Sequence, residues 1–184
     1  MDNLVVLNNE KISKKNNKFY CRNFNFKILP EGLNKFFNVQ YIARKSNNDE
    51  HHELNLNEVK IASNIIQFIY YVISTFKKKN TKYYIITITP YTFLAFLFLI
   101  LFRKKVFVYL ISNGYEEWKF ILGSWSVWIY HLMYSIVTSK ATVIALHERL
   151  YKKKNGYVIS SSTLNEEWLQ NIKKPNLNKI KFLN

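Results

Sequence analysis

The stretch Tyr83–Ser112, YYIITITPYTFLAFLFLILFRKKVFVYLIS, decides how the rest of the chain is read. Its first seven residues, Tyr83–Thr89, are β-branched or aromatic and stop at Pro90, the pattern of a strand buried on both faces of a parallel sheet. Tyr91–Phe102 is an uninterrupted apolar run of helical length, Arg103-Lys104-Lys105 is a turn, and Val106–Ser112 is a second strand. Strand, helix and strand together occupy about thirty residues, the length of one βαβ unit. The same stretch also carries no charge over the 20 residues Tyr83–Phe102, and that length is enough to cross a bilayer. Pro90 divides it, however, and a helix over Tyr91–Phe102 is about 18 Å long against a hydrocarbon core of ~30 Å. A helix buried on a parallel sheet is therefore the expected reading, with a single-span membrane protein as a rival.

Working outward, the alternation continues. Downstream, the loop Asn113–Glu117 leads into a long helix, Trp118–Ser139, a strand, Thr142–Leu146, a short helix, His147–Lys154, and a strand, Tyr157–Ser160. Upstream, Leu4–Leu7 reads as a short strand, Asn8–Lys18 as a polar loop, Pro30–Phe37 as a short helix and Asn38–Ala43 as a strand. Lys45–Asn57, which contains His51 and His52, reads as a mobile loop. Asn57 is then an expected N-cap for a helix whose apolar residues Val59, Ala62, Ile65, Ile66, Ile69, Val72, Ile73 and Phe76 recur at helical spacing, ending near Lys77-Lys78-Lys79. Alternating elements of this kind imply an α/β domain: a doubly wound, mostly parallel, Rossmann-like sheet with helices on both faces.

Composition agrees. The chain has 184 residues, 48% of them hydrophobic, so it can bury a core despite a formal net charge of +15. Glycine (4) and proline (3) are scarce, which favours long elements over a sandwich of short strands. Cys21 is the single cysteine, so no intrachain disulfide forms and a reducing, cytoplasmic compartment is expected. The opening apolar run, Leu4–Leu7, is far shorter than the core of a secretory signal.

An excess of 27 Lys and Arg over 12 Asp and Glu points to an anionic partner. Three basic runs, Lys77–Lys79, Arg103–Lys105 and Lys152–Lys154, fall where a helix ends and a strand begins, where cations complement the helix dipole. In an open α/β sheet that is the end opposite the ligand crevice, so these runs suit an anionic membrane surface better than a substrate. Nucleic acid is not expected, because zinc spacing, RNP-like aromatic strands and helix-turn-helix signals are all missing. His51, His52, His131 and His147 do not form a metal-ligand spacing, and no metal or cofactor is expected. GxSxG, Walker A and GxGxxG sequences are likewise absent.

Chemistry is therefore sought at the predicted strand C-termini. Thr89-Pro90-Tyr91-Thr92 opens a helix with proline near its first position, a common helix start. Ser112-Asn113-Gly114-Tyr115-Glu116-Glu117-Trp118 combines a tight Asn-Gly turn with two carboxylates and two aromatics; the acids serve either as dipole partners or as ligands for sugar hydroxyls. After the next strands come His147-Glu148 and Ser160-Ser161-Ser162-Thr163, with Thr163 and Glu166 spaced as a capping box for a helix over Asn165–Asn171. His131, among Trp128, Tyr130 and Tyr134, is expected to be packed or partly exposed.

The order of Tyr84–Pro90, an apolar helix, a basic turn and Val106–Ser112 resembles the N-terminal domain of bacterial GT-B glycosyltransferases, in particular the group 1 enzymes of polysaccharide and lipopolysaccharide synthesis. Asn113–Trp118 matches the polar loop and aromatic-rich helix that come next in them, and Ala141–Tyr151 is similar to a family stretch in which the strand ends in "vialse". Val158–Ser162 stands where that family has a strand and an Asn-Gly turn, here replaced by Ser161-Ser162. Lys179–Asn184 looks like the first strand of a second domain. The resemblance covers about residues 19–184; the family's glycine-rich loop is not evident after Leu4–Leu7. It implies an acceptor-side domain over residues 1–175, with 176–184 beginning a second, nucleotide-sugar-binding domain that is otherwise missing. It further implies transfer of a sugar from a nucleotide-sugar to a glycan or lipid-linked acceptor in cell-envelope polysaccharide synthesis, without a metal or cofactor, at the cytoplasmic side and peripherally on the inner membrane. This chain alone would be incomplete and inactive, and the family's paired glutamates have no counterpart in it. The implied acceptor contacts are Thr89, Asn113, Gly114, Tyr115, Glu116, Glu117, Trp118 and Ser160, with Glu116 or Glu117 orienting the acceptor hydroxyl and Trp118 stacking on a sugar ring. A non-catalytic basic module on an anionic membrane is the reading from a different class.

Overall fold

A computed structural model describes residues 1–151 and 156–159. The strands are β1 (Asn3–Lys15), β2 (Lys18–Cys21), β3 (Asn38–Lys45), β4 (His52–Leu54), β5 (Glu58–Ala62), β6 (Thr81–Ile86), β7 (Val106–Leu110), β8 (Thr142–Ala145) and β9 (Gly156–Val158). The helices are α1 (Asn25–Asn34), α2 (Ile65–Ser74), α3 (Pro90–Leu101), α4 (Gly114–Leu122) and α5 (Ser126–Lys140).

The nine strands form one mixed sheet in which every pairing is parallel except β1–β2 and β2–β4. Its parallel part runs β5-β3-β1-β6-β7-β8-β9, and the antiparallel strands hang from the far half of β1. The class is α/β, as the sequence implies. The central strands are apolar on both faces and feed two separate core clusters. Val5 and Leu7 of β1, Tyr83 and Ile85 of β6 and Val108 of β7 enter one core cluster; Leu4, Val6, Tyr84, Ile86 and Tyr109 enter the other. The helices are unevenly shared. Phe68 and Val72 of α2, Ala95, Phe96 and Leu99 of α3, and Tyr130, Met133 and Val137 of α5 fill the first cluster. Among the described helices the second draws on α1, through Phe26, Leu29 and Leu33.

Several expectations are corrected. Asn8–Lys18 is not a loop: β1 continues to Lys15 and turns back into β2 through Asn16 and Asn17, at φ 49° and 61°. Two consecutive left-handed residues make the tight turn that matches strand twist, and asparagine tolerates them well. The segment after Lys45 is not all loop, since β4 pairs with β2. The helix expected from Asn57 is a strand and a helix. Val59 and Ile61 alternate along β5 and pack on the second cluster, β5 pairs with β3, and Asn64 caps α2 by accepting the Gln67 amide at 2.9 Å. Ile65, Ile66 and Ile69 continue a spacing that begins in a strand, so periodicity alone cannot separate the two elements. The helix expected over Trp118–Ser139 breaks at Gly123, whose φ of 89° suits glycine alone, into α4 and α5.

The uncharged stretch resolves into β6 and α3 as expected, and no described helix is long and apolar enough to cross a membrane. Lys77–Lys79 and Arg103–Lys105 stand between helix and strand, as expected. Where a helix was expected over His147–Lys154, a single 3-10 turn covers Glu148–Leu150. Lys152–Lys154, Ser160–Thr163, the helix expected over Asn165–Asn171 and the strand expected over Lys179–Asn184 lie outside the described residues.

Candidate functional site

Chain order in the sheet reverses beside β1. From β1 the chain moves to β3 and β5, then returns through α2 to β6 on the other side of β1. Parallel strands part their connections at such a point and leave a crevice beyond the strand C-termini. Here that point lies where the pairing of β1 with β6 ends, at Asn8 and Ile86. Asn8 is buried there; its side-chain amide donates to the Tyr41 hydroxyl at 3.0 Å and its carbonyl accepts the Glu10 amide at 3.2 Å. Burial pushes the Tyr41 hydroxyl far above its ordinary range. Beside it, Arg44 at the end of β3 donates to Asn9 at 3.2 Å and lies 4.5 Å from the centre of the Tyr91 ring. Sequence alone does not single out this corner, because Arg44 reaches Tyr91 only once β3 and α3 lie on the same sheet.

Thr87, just beyond β6, is β-branched yet sits at φ 61°. That conformation costs about 1–2 kcal/mol in such a residue. Both its backbone groups are engaged: the amide donates to Tyr109 at 3.0 Å, and the carbonyl accepts the Thr92 hydroxyl at 2.9 Å. Thr92 also accepts the Thr89 amide at 2.9 Å, while Thr89 caps the helix in return. The Thr89 loop is thus a capped helix start with proline in its first turn, and its rigidity comes from these reciprocal bonds.

Asn113 ends the β7 loop and caps α4 by accepting the Tyr115 amide at 3.2 Å. Gly114 is buried against Tyr130, where a Cβ would collide with the ring, so it is required for close approach rather than for the tight turn expected of Asn-Gly. Tyr115 meets the Tyr130 ring edge-on, with centroids 4.8 Å apart, and its hydroxyl lies 2.9 Å from His131 Nδ1. His131 is exposed, held by that contact rather than packed inside. Tyr134 donates its hydroxyl to the Leu150 carbonyl at 2.8 Å, which ties α5 to the turn after β8. Burial, reinforced by the neighbouring tyrosines, pushes the Tyr134 hydroxyl up to about 12, and burial also raises Tyr115 and Tyr130. These hydroxyls stay protonated near neutrality, able both to donate and to accept.

Two hollows flank the Ser112–Gly114 loop. The larger, about 270 Å³, is walled by Tyr115, Tyr130 and Tyr134, with Ser112, Asn113 and Arg149 at its polar side. The smaller, about 40 Å³, lies between Thr89, Gly114, Glu117 and Trp118. Of the residues expected to contact an acceptor, Thr89, Asn113, Gly114, Tyr115, Glu117 and Trp118 converge on these hollows. Glu116 borders neither and faces solvent, and Ser160 lies outside the described residues. Tyr130, Tyr134 and Arg149 join them from later in the chain. A bigger hollow of about 400 Å³ lies at the opposite end of the sheet, where its Lys78 is neutralised by Glu58 at 2.8 Å. Open α/β sheets bind ligands beyond the strand C-termini, which is not where that hollow lies.

Such a site offers aromatic edges for apolar ring faces, amide and hydroxyl groups for hydrogen bonds, one guanidinium and one carboxylate. Among the described residues no cluster of His, Cys, Asp and Glu has the arrangement of a metal site. Comparison of the chain with family models, with curated proteins and with solved structures finds no match.

Proposed function

We propose that this domain holds the acceptor of a glycosyl transfer, as the acceptor-side half of a two-domain GT-B enzyme whose other domain binds the nucleotide-sugar. One observation carries the reading. At the C-terminal end of the parallel strands, the loops after β7 and β8 enclose a tyrosine-walled hollow with Ser112, Asn113 and Arg149 on one side, and the loop after β6 borders a smaller hollow beside it, next to Glu117. Sugars combine apolar C–H faces with a rim of hydroxyls, and aromatic edges beside amide, hydroxyl and carboxylate groups complement both. Arg149 suits the phosphate of a lipid-linked acceptor. In the transfer, the acceptor oxygen bonds to the anomeric carbon, the bond from that carbon to the nucleotide diphosphate breaks, and the hydroxyl proton is released. Glu117 accepts a hydrogen bond from that hydroxyl and orients it, while Trp118 and the tyrosines hold the ring.

Saturation-transfer and amide-shift NMR on the full chain, with a panel of neutral and phosphorylated saccharides, tests this. The expected result is a shift confined to Ser112–Trp118, Tyr130, Tyr134 and Arg149. Saccharides that perturb none of these residues at millimolar concentration would sink the proposal.

A further inference from the structure

The outer surface of the helical layer is dominated by apolar side chains. Helices α2, α3 and α5 pack side by side on one face of the sheet. Across all three, Lys140 at the last position of α5 is the single Lys, Arg, Asp or Glu. Helices that cover a sheet normally present a polar stripe to water. These present Ile66 and Tyr70 on α2, Leu97 and Leu101 on α3, and Trp128 and Leu132 on α5, with Ile66 79%, Leu101 73% and Trp128 71% exposed. At the corner where α4 turns into α5, Phe120 is 92% exposed and Trp125 stands beside the break at Gly123. A surface of this extent is a contact surface, because scattered exposed apolar residues do not align over four neighbouring helices.

Charge identifies what covers it. The Phe76 and Phe102 rings lie 5.0 Å apart, and Lys104 Nζ donates to the Phe76 carbonyl at 3.2 Å, so the ends of α2 and α3 meet. Exposed Lys77, Lys79, Arg103 and Lys105 thereby form one basic edge next to Leu101 and Phe102. Between Glu58 and Glu116 the chain contains no acidic residue at all. A second copy meeting this one through α2, α3 and their basic edge would bring cations without carboxylates to receive them. An anionic bilayer supplies hydrocarbon for the aliphatic surface, an interface for Trp125, Trp128 and Tyr70, and headgroup phosphates for the basic edge.

We propose that the outer face of α2, α3 and α5, with the α4–α5 corner, inserts into the interface of an anionic bilayer, and that the Lys77–Lys79 and Arg103–Lys105 edge selects its headgroups. The protein lies on the membrane rather than across it, since no described helix is long enough to span. This proposal is independent of sugar binding at the strand C-termini.

Partitioning of the full chain onto vesicles of phosphatidylcholine with phosphatidylglycerol, read by sedimentation and by quenching of tryptophan fluorescence with brominated acyl chains, is the test. Wild type should bind and be quenched. Ile66→Ser with Leu101→Ser, both fully outside the core, should weaken binding about tenfold or more. Lys79→Gln with Arg103→Gln should reduce the preference for phosphatidylglycerol while leaving acyl-chain quenching in whatever binds. Circular dichroism and urea midpoints matching wild type would show that both variants fold. Absence of partitioning overturns the proposal, as does a stable dimer with no affinity for vesicles. Wild-type binding that survives Ile66→Ser with Leu101→Ser unchanged, yet disappears in high salt, also overturns it, because the basic edges alone would then account for attachment.

Discussion

Gly114 and Tyr130 are packed so closely that no methyl group fits between the glycine Cα and the tyrosine ring. The contact fastens the start of α4 to α5 and forms the shared wall of both hollows at the ligand end. Gly114→Ala forces either the ring or the loop to move. Overpacking of this kind costs about 1–3 kcal/mol. Urea unfolding should show a lower midpoint with an unchanged slope, and amide shifts should spread from Ser112 to Tyr134.

Glu116 and Glu117 are adjacent in sequence and both exposed, but only Glu117 borders the smaller hollow. Glu117→Gln should therefore weaken saccharide binding several-fold and Glu116→Gln should leave it unchanged. Titrations followed by NMR on both variants check this. Equal effects would mean that the carboxylates act only on the helix dipole, which both approach in the first turn of α4.

Glu10 gives a pH signature to stability. Burial raises its carboxyl above the ordinary value, partly offset by hydrogen bonds from the Asn23 and Arg22 amides at 3.3 and 3.2 Å. A raised carboxyl binds its proton more tightly folded than unfolded, so its favourable contribution is present at acid pH and is lost as pH rises through the folded value. Glu10→Gln keeps an acceptor oxygen for both amides and removes the titration. The variant should equal or exceed wild type in thermal stability near pH 7, with its advantage gone below the carboxylate range. Melting curves across that range check the sign.

Cys21 is fully buried, and burial together with Glu10 pushes its thiol up to about 11. Thiolate is the reactive species. Labelling by iodoacetamide near pH 8 should be far slower in native protein than in denaturant, which mass spectrometry measures directly. Rapid native labelling would mean that the hairpin carrying Cys21 opens locally.

The unit β6–α3–β7 was legible because a strand buried on both faces writes itself as a continuous β-branched and aromatic run, and Pro90 marks the seam to the helix. Asn16-Asn17 was an available turn signal, but Ile12 is the single large apolar side chain between Asn8 and Lys18, so pairing with β2 and β3 had to supply the strand. Residues Glu58–Ala62 carry strand alternation and helical spacing at once, and the neighbouring β3 edge decided between them. On α3 the apolar run was legible, but not that Leu94, Leu97 and Leu101 face outward. A helix that is apolar all round has no stripe to mark its buried side.

At the candidate site, Thr89 and Asn113–Trp118 are legible in the sequence because they come directly after strands, and parallel strands deliver their C-terminal loops to the ligand end. Tyr130, Tyr134 and Arg149 are not, since each belongs to a later element and meets the loop only through packing of α5 and of the turn after β8. Local pattern by itself determined an α/β chain, its principal strands and the end of the sheet at which their C-terminal loops gather, because these depend on burial and on chain direction. Tertiary structure alone decided which carboxylate faces a hollow, which glycine must be a glycine for lack of room, and which side of an all-apolar helix meets the core. Those are relations between residues far apart in sequence, set by close packing rather than by any local preference.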